Sequence, residues 1–376
     1  MVSSFHHPEF RMLRRLHPGL ALFAIFVTTC AADTAHPEWN WRSEPLYPLL
    51  HRLPAPARDR SASCPEAPPA IQDIQTVSKY GEARSTNNSS IVDEDAERQY
   101  REDMKPIEAF SNEIVKRANH FVEGDETGKA DAACALAWLD SWARGGAFLG
   151  AVNRQGQSVR KWELATFATT FIKIADAPGL DPEQRERVRD WIHAVAIEAQ
   201  RDFSTGTELR SRQNNHLYWA AWGVTAAGIA TGDRTLFDWG IEKYRFAIRE
   251  IQDDGTLKLE LDRRTRAAIY HMYALEPLIM IAEAGEVNGI PLYAEDGGRL
   301  QKLIDLNIAA LDDISVIGRL NGFDQENLYT ESVLSWIEPY YARFKDPRVE
   351  KWLDRYRPMS TRRTGGDMTA LYAPVP

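Results

Sequence analysis

Apolar residues recur every three or four positions along most of the chain, and Gly, Pro, Asn and Asp punctuate the runs. That is the pattern of amphipathic helices. From residue 91 onward it predicts helices over 93–121, 130–149, 160–176, 181–202, 212–231, 234–252, 264–285, 298–312, 327–344 and 346–355. The breaks, such as "APGLDPEQ", "TGDRT" and "QDDGT", are short, so consecutive helices should form antiparallel hairpins. No segment sustains strand alternation; "GTLKLEL" (255–261) could give a brief extended piece.

Two of these segments differ from the rest. Residues 212–231 and 264–285 are apolar nearly all round, so they should be buried on several sides, whereas "DPEQRERVRDWIHAVAIEAQR" carries a strongly charged face. Buried helices alternating with amphipathic ones describe an all-α fold, an incomplete α/α toroid of helix hairpins. In it every second helix runs parallel, and the inner helices begin on one rim. The starts at 212 and 264 should then lie side by side.

The N-terminus changes the picture of where the chain works. "RMLRR" (11–15) precedes "GLALFAIFVTTCAA" (19–32), a basic stretch followed by an apolar run too short for a membrane span and by small residues. This predicts a signal peptide over residues 1–32, a periplasmic or secreted protein, and no stable membrane insertion once it is removed. "VTT" ahead of Cys30 is a poor lipobox. Residues 33–92 hold many prolines and the polar loop "GEARSTNNSS", and read as an irregular leader with a mobile loop; residues 93–376 are expected to form one helical domain. Cys64 and Cys134 remain, a count that suits one disulfide in an oxidising compartment, tying "CPEAPPA" to "CALAWLDSWA".

A net charge of −9 supplies no broad basic field and argues against a nucleic-acid partner. It leaves room for a local basic groove built from "SKY" (78–80), "RSR" (210–212), "RRTR" (263–266) and "TRR" (361–363). The many tryptophans and tyrosines would suit sugar rings, or simply a helical core. There is no HExxH, Cys/His cluster or EF-hand loop, and no Walker or dinucleotide fingerprint, so no metal and no cofactor is expected.

Chemistry gathers on the expected rim. One inner helix opens with Ser211 as a candidate N-cap, then Asn214, Asn215 and His216; the other opens with Asp262 as cap, then Arg263, Arg264 and Arg266. Arg263, Arg266, Tyr270 and Tyr273 are spaced to share one helix face, spanning roughly 10 Å. Helix N-termini add positive potential and unpaired amide donors. Such a site suits a bound carboxylate beside an ionisable phenol. β-Elimination in a uronic-acid polymer needs that pair: the C5 proton becomes acidic only when the neighbouring carboxylate is neutralised. A base must then take the proton and an acid must protonate the O4 leaving group. A nearby arginine would leave the tyrosine partly ionised, and a neutral histidine could also serve as base.

The stretches "NNHLYWAAW", "RRTRAAIYHMYALEPL", "SKY" and "WIEPYYARF", with "CALAWLDSWA", "RKWELATFA" and "GGDMTALY", resemble the alginate lyase family of helical-toroid polysaccharide lyases, especially periplasmic poly-mannuronate lyases. The resemblance covers roughly residues 60–372 in the expected order. It implies an anionic polysaccharide partner and a lyase cutting β-1,4-linked mannuronate in alginate. It also implies that Asn215, His216 and Arg263 neutralise the substrate carboxylate while Tyr270 is catalytic acid and base. Lys79 and Tyr80 would sit on a lid, Trp162 would line the groove, and Cys64 would pair with Cys134. Asn214, Arg266 and Tyr273 are further candidates for substrate contact, and Arg343, Arg362 and Arg363 for more distant uronates. His271 is expected in the core, and Trp336, Glu338 and Tyr340 to pack and position the groove. "SKYGEARS" lacks the acidic pattern expected after the lid tyrosine. Two other readings remain open: the same chemistry on glucuronan or acetylated alginate, and a non-catalytic glycan-binding toroid in polymer export. A monomer is expected.

Overall fold

The structure is a computed structural model that describes residues 60–81 and 90–373. The expected signal peptide, leader residues 33–59 and lid residues 82–89 lie outside the described residues. Thirteen α-helices follow in the described part: α1 Glu94–Glu123, α2 Gly128–Arg144, α3 Arg154–Ile174, α4 Pro182–Ser204, α5 Asn215–Thr231, α6 Arg234–Glu250, α7 Lys258–Leu261, α8 Ala267–Val287, α9 Glu295–Asp312, α10 Ser315–Asn321, α11 Ile337–Phe344, α12 Glu350–Tyr356 and α13 Met368–Tyr372. A two-stranded antiparallel hairpin, β1 Ser360–Thr361 and β2 Gly366–Asp367, is the only sheet among the described residues. The fold is all-α.

The helices form two rows. α1, α3, α5 and α8 touch in succession, as do α2, α4, α6 and α9, and each row packs on the other. Sequence explains which helix goes where. α5 and α8 are largely apolar with no strongly polar face, and most of their residues are buried. α1 and α6 bury one stripe each, for example Ile107, Phe110, Ile114, Ala118 and Phe121 on α1. Local signals set the ends: Asp93, Asp181 and Asp233 cap α1, α4 and α6 with their carboxylates, and Gly124 and Gly232 close α1 and α5 in the left-handed region.

Close approach between rows and neighbours depends on absent side chains. A Cβ on Gly223 of α5 would lie 2.7 Å from the carbonyl oxygen of Lys161 on α3. On Gly240 of α6 it would meet Thr225 and the Ala221 carbonyl of α5. A second device joins α5 to α8. Pro277 lies inside α8 and has no N–H for the carbonyl four residues back. That carbonyl belongs to Tyr273, and Trp219 Nε1 of α5 donates to it at 3.0 Å instead.

Residues 60–76 lie against α1 and α2. Cys64 and Cys134 form a disulfide with Cα atoms 5.5 Å apart, as expected. Trp138 and Trp142 donate their indole N–H groups to the carbonyls of Pro65 and Pro68 at 2.8 and 2.9 Å. Prolines free those carbonyls for the purpose, because they cannot enter a helix or a ladder.

Several expected boundaries move. The helix expected over 327–344 begins only at Ile337, because between 327 and 336 only Leu334, Ser335 and Trp336 are buried and no continuous apolar face exists. Residues 346–355 split into a 3₁₀ turn, Pro347–Val349, and α12. "GTLKLEL" pairs with Ile251 at Leu257 and then coils into α7, since the Leu257 N–H donates to His271 Nε2 at 3.0 Å rather than to a strand. Ser211 lies in a 3₁₀ turn and Asn214 caps α5 instead, accepting from the His216 N–H at 3.1 Å. Asp262 ends α7 and pairs with Arg210; α8 begins only after the 3₁₀ turn Arg264–Arg266.

Candidate active site

One cavity of about 580 Å³ opens where α3, α5 and α8 begin, and residues 78–80 lie over it. Its walls include Lys79, Tyr80, Trp162, Asn214, Asn215 and His216. Arg263, Arg266, Tyr270, Tyr273 and Arg363 complete them. The four expected catalytic residues and the six expected nearest the scissile sugar therefore line one space, although they are spread over nearly 200 positions of the chain and the segment before α8 is not one straight helix.

Arg263 lies on the turn before α8, and its guanidinium carbon is 4.2 Å from the centre of the Tyr270 ring. Tyr270 and Tyr273 meet edge to face with centres 6.2 Å apart. Across the cavity, the Trp162 ring lies 5.8 Å from His216 and 4.5 Å from the Arg363 guanidinium. Arg363 donates to the Tyr273 hydroxyl at 2.9 Å. From above, the Tyr80 hydroxyl shares a very short hydrogen bond with the Tyr270 hydroxyl. A turn places it there: Gly81 adopts a φ of 57°, its N–H donates to Ser78, and the Lys79 carbonyl accepts from Asp93 at the start of α1. Lys79 reaches back to 5.4 Å from the Tyr80 ring.

The electrostatics of the site follow from burial. His216 is pushed well below the ordinary histidine value, first by desolvation and then by Lys161, Arg263, Arg212 and Arg154 around it, so it is neutral at neutral pH. Its Nδ1 faces Ser158 Oγ at 3.4 Å. Tyr270 departs from expectation. A partly ionised phenol is expected beside Arg263, but burial and the Tyr80 phenol together hold Tyr270 well above its ordinary value. Arg263 opposes that shift without reversing it. In this closed arrangement Tyr270 is a neutral acid.

Two amides are already engaged. Asn214 spends its side-chain oxygen on the cap described above. Asn215 donates its backbone N–H and its side-chain amide to Glu260 at 2.9 Å, leaving Oδ1 without a hydrogen-bond partner among the described residues. Glu260, fully buried on α7, is the residue that sequence reasoning missed. It holds the start of α5 and also faces Arg263 at 3.6 Å, so one carboxylate sets the positions of two candidate catalytic groups. Its only trace in the sequence is an acidic residue between two leucines, three positions before Arg263. Arg266 sits at the mouth, paired with Glu326 at 3.1 Å and 6.0 Å from the Tyr80 ring.

Other candidates fall elsewhere. Arg343 is bound by Glu283 at 2.6 Å, and Arg362 by Glu163 at 3.1 Å and Glu108 at 3.4 Å. Trp336 is buried, Glu338 holds Arg357 and Thr369, and Tyr340 donates to Asp346, so these three pack in the body of the fold and do not line the cavity. His271 lies in the core, its Nδ1 against the Ala267 carbonyl and its Nε2 on Leu257, which fixes a neutral tautomer. Among the described residues no group of three or more His, Cys, Asp or Glu side chains is placed to hold a metal ion. No helix among them is long and apolar enough to cross a membrane.

The chain and its fold are similar to those of known proteins. The chain is 34% identical over 331 residues to an alginate lyase of Azotobacter vinelandii, covering 85% of this chain and 86% of that one. It is 33% identical over 325 residues to an alginate lyase of Pseudomonas aeruginosa, covering 83% and 86%. The structure superposes on alginate lyase A1-III from Sphingomonas species A1 with a TM-score of 0.73 and 27% identity, covering 89% of this chain and 96% of that one. A variant of A1-III complexed with a tetrasaccharide superposes with a TM-score of 0.76 at the same coverage and identity. The model of the family described as alginate lyase matches residues 78–316. With that match and those relatives, the chain belongs to the alginate lyase family.

Proposed function

We propose that this protein cuts β-1,4-linked mannuronate inside alginate by β-elimination, leaving an unsaturated uronate at the new non-reducing end. The observation that carries the reading is the Arg263 guanidinium 4.2 Å from the Tyr270 ring, in the same cavity as a neutral His216. Arg263 and His216 take the C6 carboxylate and stabilise the enolate-like transition state. Asn215 joins them by turning its amide from the Glu260 carboxylate to that of the substrate, an exchange of like acceptors. Tyr270 removes the C5 proton and returns a proton to O4: the C5–H electron pair becomes the C4–C5 double bond as the C4–O4 bond breaks. In mannuronate the C5 proton and O4 lie on one face, so a single tyrosine can serve both steps. The resting phenol is neutral, so Tyr270 must first release its own proton to solvent and then takes the C5 proton as the phenolate. A sugar chain that enters must part Tyr80 from Tyr270, and this removes one of the influences that hold the proton while Arg263 stays.

Lys79 and Tyr80 then close over the chain, Trp162 offers a ring face to sugar, and Asn214, Arg266 and Tyr273 border the bound residues. All of these residues lie on one chain, as action by a monomer requires. The disulfide supports a periplasmic or secreted location.

The test is the ultraviolet absorbance of the new double bond on polymannuronate, polyguluronate and glucuronan. Polymannuronate should give the largest kcat/KM, and Tyr270→Phe should lower it by about a thousandfold or more. Faster cleavage of glucuronan would move the substrate assignment. Binding without any double bond would replace the enzyme with a glycan-binding protein.

A further inference from the structure

A second cavity, of about 500 Å³, lies beside the first and shares two wall residues with it, Glu108 and Arg363. Its size falls in the roughly 300–1,000 Å³ range of small-ligand sites. α1 supplies Asn112, Lys116 and Asn119, and the C-terminal hairpin supplies Thr361 and Arg362. No aromatic ring lines it, and amides, hydroxyls and cations dominate.

The charge of this wall is positive once its ion pairs are counted. Arg362 faces Glu108 and Glu163, which offset it. Lys116 is exposed, and neither it nor Arg363 has a carboxylate at ion-pair distance among the described residues. The wall is also rigid. The buried amine of Lys173 holds the Gly365 carbonyl and Asn119 Oδ1. Gly366, at a φ of 95°, sits so close to α1 that a Cβ would come within 2.8 Å of Val115. The hairpin is therefore fixed to α1 before any ligand arrives, which reduces the ordering cost of binding.

The route between the cavities is defined by contacts. Tyr270 meets Tyr273, the Tyr273 hydroxyl accepts from Arg363, and Arg363 borders the second space. We propose that this second cavity is a binding site for acidic sugar residues several positions from the scissile bond, on the Arg363 side of the catalytic cleft. Lys116 and Arg363 take carboxylates there, while Asn112, Asn119 and Thr361 take ring hydroxyls. The inference rests on the reading of the first cavity as a polyuronate lyase site, and it makes the rate depend on chain length.

The experiment compares kcat/KM on long polymannuronate with kcat/KM on an oligomannuronate just long enough to be cut. Lys116 is exposed, so Lys116→Ala and Lys116→Glu should fold, as melting curves would verify. The ratio of the two constants should fall by about threefold for Lys116→Ala and roughly tenfold for Lys116→Glu. Lys105→Glu, on the same helix outside both cavities, controls for the general field. An unchanged ratio, or an equal fall with Lys105→Glu, overturns the second site while wild-type cleavage still upholds the lyase. A wild-type protein that forms no double bond removes both.

Discussion

Glu276 shows how a single buried group sets a pH dependence. It is buried in α8, accepts from Ser335 at 3.1 Å, and is pushed up to about 8 by desolvation, with Ser335 and Arg363 opposing. Its folded value lies above its unfolded one, so its contribution to stability is complete below about pH 4.5 and is lost as pH rises through 8. Glu276→Gln keeps the acceptor for Ser335 and removes the titration. Denaturant unfolding should show the variant gaining on wild type as pH rises, by about 4–5 kcal/mol at pH 8.5, with little difference at pH 4.5. A constant difference across that range would mean Glu276 does not titrate as described. The residue scale is also where the sequence was both most and least informative. "NNH" and "RRTRAAIY" named groups that do face one cavity. The ionisation of Tyr270 was misread because it depends on Tyr80, about 190 positions away, and on burial that the sequence does not display. Glu260 was invisible for the same reason: its partners are defined by the fold.

Among the elements, the long helices were legible because each carries a sustained period, and the short ones were not. α7, α10, α13 and the β1–β2 hairpin run from two to seven residues, too few for periodicity, yet α7 and the hairpin supply Glu260 and the wall of the second cavity. The α5–α8 junction makes a sharper point. Trp219 substitutes for the N–H that Pro277 lacks, so its effect should depend on that proline. Trp219→Phe should destabilise by on the order of 3 kcal/mol, from the orphaned Tyr273 carbonyl and the lost ring volume. Pro277→Ala should then restore part of that loss in the Trp219→Phe background and give less in the wild type. If a double-mutant cycle returns no coupling, the indole is a packing group and the carbonyl has another partner.

For the whole molecule, the two rows of helices bury most of α5 and α8 beyond their first turns. A chain whose packing comes apart therefore exposes two segments of 17 and 21 residues that are mostly apolar. Such segments associate with one another faster than they find their own neighbours again. Heating should end in precipitation, and the apparent Tm should climb with scan rate as expected of a kinetically trapped process. A reversible, scan-independent transition would count against it. The lifetime of this protein is then set by how seldom it opens rather than by how favourably it closes.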